Sequence, residues 1–122
     1  MPDQDIAITE QDGIIRAVYR GRARYEAVST LLRDVVRVAA EKQASRILFD
    51  LRAADYGHYH VEAVQHAQES HALGLNAGFR IAFLGSPGEP MLRYIETVSI
   101  NRGYQVRAFT AESEAEGWLR QP

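Results

Sequence analysis

The spacing of hydrophobic and polar residues changes several times along the chain, and each change predicts an element. Ile6-Ala7-Ile8-Thr9 is a short strand candidate. Glu10-Gln11-Asp12-Gly13 follows it, and Asp-Gly between apolar runs is a strong hairpin turn signal. Ile14 to Arg20 alternates loosely and is rich in β-branched residues, so it predicts a second strand, antiparallel to the first and closed by Gly21. From Tyr25 to about Lys42 the period lengthens. Tyr25, Val28, Leu31, Leu32, Val35, Val38 and Ala39 fall on one helical stripe, and Glu26, Arg33, Asp34, Arg37 and Glu41 on the other side. The polar side carries both signs of charge, which fits a helix packed on a sheet and not a basic helix lying on a membrane.

Arg46-Ile47-Leu48-Phe49-Asp50-Leu51 is the most strand-like run and predicts the central strand. Arg52 to His60 reads as a polar and aromatic loop. A helix is expected from about Tyr59 to Leu73, with a weak stripe of Val61, Val64, Ala67 or Gln68, and His71 or Ala72, and with Gly74 at its C-cap. Phe79 to Leu84 is a nearly continuous apolar strand, as expected where both faces are covered. Gly85-Ser86-Pro87-Gly88-Glu89-Pro90 breaks it, and Pro90 suits a first helical turn. Met91, Leu92, Ile95, Val98 and Ser99 predict the buried stripe of that helix, with Arg93, Glu96 and Arg102 outside and Gly103 at its end. Tyr104 to Phe109 alternates as a last strand, and a final helix starts near Thr110-Ala111-Glu112-Ser113 and is anchored by Trp118 and Leu119. Helices between the later strands require parallel crossovers. The expected fold is α/β: residues 1–122 form a single domain ordered β-β-α-β-α-β-α-β-α, with about five strands in a mixed sheet that begins with an antiparallel hairpin.

Composition narrows the chemistry. A length of 122 residues with 46% hydrophobic content can bury a core without staples. The formal charge of −2 gives no electrostatic footprint for nucleic acid. The absence of cysteine excludes disulfides, thiol catalysis and zinc–thiolate sites. The N-terminal Met1-Pro2-Asp3-Gln4-Asp5 lacks the basic and apolar regions of a signal peptide, and no apolar run approaches the roughly 20 residues that span a bilayer. A cytoplasmic protein without an integral membrane segment is expected.

The most chemical-looking stretch is Asp55, Tyr56, His58, Tyr59 and His60, at the C-terminal end of a sheet strand, where α/β proteins usually bind ligands. Asp55, His58 and His60, extended by His66, could be read as metal ligands. The spacing has no clean helical relation, however, and Glu62–His66 reads as a helix-surface pair, so a solvated loop edge is preferred, with a small-molecule or partner contact by the tyrosines and histidines as the alternative. Asp50 is read as bracing the following loop before it is read as a base. Ser86 is the hydroxyl nearest that edge, in a loop that lacks the lysine and spacing of a phosphate-binding P-loop. Arg93 either pairs with Glu96 three residues on or reaches a ligand. An exposed Tyr56–Tyr59 pair would favour partner binding. No catalytic set, metal site or cofactor is expected.

Three segments carry a family resemblance. They are Ile47-Leu48-Phe49-Asp50; Phe79 to Leu84 with the later Arg93-Tyr94-Ile95-Glu96-Thr97; and Val106-Arg107-Ala108-Phe109-Thr110 leading to Glu114-Ala115-Glu116-Gly117-Trp118-Leu119. With the element order, they resemble the SpoIIAA-like branch of the STAS family (STAS/SEC14-type), bacterial proteins whose best-known members are anti-sigma-factor antagonists. The resemblance implies a non-enzymatic regulatory or protein-interaction module, and the thin apolar stripe of the Tyr59–Leu73 helix points to self-association as a homodimer. In phospho-regulated members a serine or threonine opens the helix after the central strand. Here Asp50 to Gly57 contains no hydroxyl residue except Tyr56, so a module without the usual phosphorylatable serine is expected. The SEC14-type likeness implies the alternative, a carrier of a small apolar ligand or lipid. The candidate binding residues are Asp50, Asp55, Tyr56, His58, Tyr59, His60, Ser86 and Arg93.

Overall fold

A computed structural model describes residues 4–122. The elements follow the expected order: β1 (Gln4–Gln11), β2 (Ile14–Arg22), α1 (Tyr25–Lys42), β3 (Arg46–Asp55), α2 (His60–Leu73), β4 (Arg80–Leu84), α3 (Pro90–Asn101), β5 (Gln105–Phe109) and α4 (Glu112–Leu119). The five strands lie in the sheet in sequence order, β1-β2-β3-β4-β5, so β3 is central. β1 and β2 are antiparallel and every later pair is parallel. The hairpin turns at Asp12 and Gly13, whose φ angles of 55° and 81° are both left-handed, the geometry that matches strand twist and favours Asp-Gly.

The sheet sorts its side chains by parity. Ile15, Ala17, Tyr19, Ile47, Phe49, Ile81 and Val106 face α1, where Leu31, Val35 and Ala39 complete a buried cluster. Leu48, Ala82, Leu84 and Phe109 face the other way, onto Ala115 and Leu119 of α4. Gly85 lets α3 close on the end of β4: a Cβ there would lie 2.7 Å from a methyl carbon of Leu92.

Four expectations need correction. β3 runs four residues beyond Leu51. Val18 pairs with Asp50 but Arg20 with Ala53, so β3 carries one extra residue, a β-bulge, and then pairs on through Asp55 with Arg22. The bulge lets both Leu51 and Ala54 pack toward the helices while Arg52 and Ala53 are exposed. α2 buries Ala63, His66, Ala67 and Ser70, not the stripe through Val61, which is 67% exposed. Small side chains set that face, so hydrophobicity alone points to the wrong one. Glu96 on α3 is buried, because its carboxylate accepts from the backbone N–H of Ala108 and from Arg93. The last helix, whose Thr110 start reads as cap-like in the sequence, begins at Glu112 with Ala111 at the N-cap and no side-chain cap, while the α3 start is capped by the Glu89 carboxylate, which accepts from Met91 N–H.

α2 packs mainly on α1 and α3, and makes no comparably extensive contact with a strand. It therefore roofs the sheet from a distance. With only Ala63, Ala67, Ser70 and His66 on its underside, the space below is not filled.

Candidate binding site

The C-terminal end of β3 splits the sequence-derived candidates between the two faces of the sheet. On the α4 face, Asp50 is buried and anchors a network of charges. Its Oδ1 accepts from the backbone N–H of Arg52 at 3.2 Å and from Arg52 Nε at 2.9 Å. Its Oδ2 accepts from Arg52 Nη2 at 2.7 Å and from Arg16 Nη2 at 2.9 Å. Both arginines also donate to Glu112 Oε1 of α4, at 2.7 and 3.0 Å. Burial works against the Asp50 charge, but the Arg52 hydrogen bonds and the nearby guanidinium charges outweigh it and hold the carboxyl below its usual range. The Arg16 hydrogen bond lowers Glu112 likewise. Asp50 thus braces the segment after the bulge and ties β2, β3 and α4 together. Every lone-pair direction it offers is taken up by arginine, which leaves it no role as a base.

On the other face, Tyr56 and Tyr59 are buried, 9% and 7% exposed, so they form no exposed aromatic pair. They pack with Ala63, Met91, Leu92 and Ile95. Both contribute to the wall of a cavity of about 110 Å³ between the sheet and α1, α2 and α3, together with Leu31, Phe49, Phe83 and Ile95. Ala63 and Ala67 of α2 form its roof.

His66 stands at the edge of this cavity, stacked between two rings, with Tyr25 at 4.6 Å and Tyr59 at 5.6 Å between centroids. Its Nδ1 is 2.5 Å from the Tyr59 hydroxyl. Its Nε2 is 3.1 Å from the Tyr25 carbonyl oxygen and 2.9 Å from Ser29 Oγ. A carbonyl cannot donate, so the network assigns the proton to Nε2, and the Tyr59 hydroxyl donates to Nδ1. With that tautomer the Ser29–His66 pair is no nucleophile and base, because the nitrogen facing Ser29 already carries its proton. Burial lowers the His66 pKa, in keeping with a neutral ring. The expected surface pair of Glu62 and His66 is therefore not found.

Asp55, His58 and His60 are exposed at the β3–α2 junction. Asp55 Oδ1 accepts from Gly57 N–H, closing the turn, and His60 meets Tyr94 edge to face at 5.1 Å. Among the described residues no group of three or more histidine, aspartate or glutamate side chains converges as a metal site. Ser86 and Arg93 belong elsewhere again. They line a polar surface cleft of about 480 Å³ with Arg107 and Glu114, at the ends of β4 and β5. Ser86 Oγ donates to the Arg52 carbonyl at 3.3 Å, and Arg93 pairs with Glu96 at 3.3 Å.

The structure thus brings Tyr56 and Tyr59 together, and Ser86 with Arg93, but does not join the eight candidates into one site. Sequence reasoning missed Arg16, Glu112, Tyr25 and Ser29 as members of these networks, and it placed the buried His66 on the helix surface. Tyr59 and His66 are two helical turns apart, and that spacing is the one sequence signal that could have paired them. The contacts of Arg16 with Asp50 and Glu112 span 34 and 96 residues and leave no local trace.

No protein-family model matches the chain. No curated protein matches it in sequence. Solved structures do match. An anti-sigma factor antagonist from Mycobacterium paratuberculosis has a TM-score of 0.66 at 13% identity, over 99% of this chain and 98% of that one. An uncharacterised DUF3478-family protein with a SpoIIAA-like fold, from Shewanella loihica PV-4, has a TM-score of 0.58 at 18% identity, over 95% and 93% of the two chains. The protein TM1081 has a TM-score of 0.58 at 15% identity, over 94% and 88%. The fold of this chain is STAS/SpoIIAA-like.

Proposed function

We propose that the chain is a non-enzymatic regulatory module that binds another protein through the β3–α2 junction and the outer face of α2. The observation that carries this reading is the end-to-end structural likeness to an anti-sigma factor antagonist, which covers 99% of this chain. This reading assigns the exposed side chains His58, His60 and Val61 to the partner contact. The module works without a serine switch: no serine or threonine occurs between Ser45 and Ser70, and the two hydroxyl residues at the junction, Tyr56 and Tyr59, are buried. Self-association through the same outer face of α2 belongs to this reading.

The test is affinity capture from the host, with the wild-type chain beside His60→Glu/Val61→Glu. A partner held in stoichiometric amount by the wild type and lost by the variant supports the proposal. An identical set of proteins on both overturns it. Phosphoserine or phosphothreonine found by mass spectrometry in the native protein would overturn the claim of a module without a serine switch.

The cavity under α2 favours a second reading, a carrier of a small apolar ligand. Its wall contains no Asp, Glu, Lys or Arg. At about 110 Å³ it lies below the roughly 300–1,000 Å³ of drug-sized ligand pockets, so the ligand is small or the roof yields to admit it.

A further inference from the structure

The hollow beneath α2 is held open by two aromatic posts. Toward α1, His66 stacks on Tyr25 with 4.6 Å between centroids, and its Nε2–H donates to the Tyr25 carbonyl at 3.1 Å. Toward the start of β5, His71 stacks on Tyr104 at 4.5 Å, and the Tyr104 hydroxyl donates to the Ala67 carbonyl at 2.9 Å. These contacts fix the height of α2, so Ala63 and Ala67 cannot settle onto the sheet and fill the space. The same kind of bond uses up the polar groups of the wall. The Tyr59 hydroxyl donates to His66, Ser70 Oγ to the His66 carbonyl at 2.6 Å, and the Tyr19 hydroxyl to the Arg22 carbonyl. The Tyr56 hydroxyl has no partner, but its oxygen has almost no accessible surface and so does not face the space. Ser99, half-buried on α3, needs no guest, because a helical serine can bond the carbonyl one turn back, here that of Ile95.

We propose that the hollow beneath α2 takes a wholly apolar molecule of about six non-hydrogen atoms, or the hydrocarbon end of a longer one, with no hydrogen-bonding group inside the wall. The inference rests on the carrier reading and adds the chemical class and size of the ligand. The wall has no Asp, Glu, Lys or Arg, and the neutral His66 has both nitrogens engaged, so a charged group would lose its hydration without return. A neutral donor or acceptor meets the same want of a free partner. Water fares no better, since a buried water needs about two to four polar partners. An apolar guest, in contrast, gains dispersion contacts with rings and methyl groups that otherwise border unfilled space. The volume, about 110 Å³, is somewhat less than the ~150 Å³ of an apolar cavity known to hold benzene, and this sets the size.

The test titrates benzene and pyridine, two rings of nearly equal shape, into the full chain and into Ala67→Leu, at mildly alkaline pH where pyridine is uncharged. Binding is read from NMR shifts of the Leu31, Ile81 and Ile95 methyl groups on the wall. Thermal melts verify that the variant is folded, and Ala63→Leu takes its place if it is not. Benzene binds the wild type and shifts those methyl groups. Pyridine binds at least about tenfold more weakly, because its ring nitrogen is left unpaired. Ala67→Leu, which fills the space, loses benzene binding. Pyridine bound as tightly as benzene would overturn the apolar class and leave the carrier reading standing. Undiminished benzene binding in Ala67→Leu would overturn the assignment to this hollow. Failure of both probes to bind the wild type would overturn the carrier reading, and this inference with it.

Discussion

Removing the same atom from two tyrosines three positions apart has opposite consequences. Tyr56→Phe deletes a buried hydroxyl that has no partner, and so removes a desolvation penalty of about 1–3 kcal/mol. Tyr59→Phe deletes the donor to His66 Nδ1 and leaves that nitrogen buried and unpaired, a loss of about 1–3 kcal/mol. Neither change alters ring packing, because both rings stay in the cluster with Met91, Leu92 and Ile95. Tyr56→Phe is therefore expected to stabilise the ligand-free chain by about 1 kcal/mol, which raises Tm by roughly 3–5 °C for a domain of this size. Tyr59→Phe is expected to lower it by a similar or larger amount. Urea unfolding, followed by Trp118 fluorescence and by circular dichroism, gives both values. Unchanged m-values would confirm that the native state is preserved. A Tyr56→Phe variant less stable than the wild type would refute the reasoning, since it would mean that the hydroxyl is satisfied.

Three further outcomes follow from the same structure. Asp50→Ala, which leaves Arg16 and Arg52 with Glu112 as their remaining hydrogen-bond acceptor, and Arg52→Ala, which leaves the buried Asp50 carboxylate with Arg16 and one backbone N–H, are each expected to cost about 1–3 kcal/mol, whereas Glu112→Ala, at a part-exposed acceptor whose arginines keep Asp50, costs about 1 kcal/mol or less; urea midpoints decide between them. Ala67→Leu, which points a larger side chain into unfilled space, is expected to change stability by less than about 1 kcal/mol, while Ala115→Leu on the filled α4 face costs about 1–3 kcal/mol; equal losses would show that the cavity is not available. Acid titration should lower stability in two stages. The His66 pKa is depressed below 6.5 in the folded chain, so the unfolded chain binds more protons as pH falls through that window, and stability drops. The Asp50 pKa is depressed below 3.8, so its contribution is present above that value and is lost as pH falls through the lower, folded one. His66→Gln should remove the first stage and leave the second, as read from Tm between about pH 7 and about pH 2, a scan that passes well below the about 3.9 of a free aspartate.

The order and type of the elements were legible because each rests on a local signal: the Asp12-Gly13 turn, the stripe of α1, the apolar run of β4, and Pro90 before α3. Where the signal was not local, the reading failed. The extension of β3 past Leu51 depends on pairing Ala53–Asp55 with Arg20–Arg22 across a bulge, 33 residues apart in the chain, and a polar sequence such as Arg52–Asp55 does not announce it. The buried face of α2 is made of Ala63, His66, Ala67 and Ser70, and only the tertiary partners Tyr59 and Tyr25 make a histidine acceptable there. The candidate site fared in the same way. That Asp50 and Tyr56 lie around the end of the central strand was legible, but the division of Asp50, Tyr56 and Ser86 among a charge network, a cavity wall and a surface cleft depends on which face of the sheet each residue meets.

The most direct test of the proposed role is hydrogen exchange on the complex with a captured partner, compared with the free chain. Protection concentrated in residues 56–62 and along the outer face of α2 is the predicted result. Protection confined to α4 and the edge strand β1, with the β3–α2 junction unchanged, would contradict it.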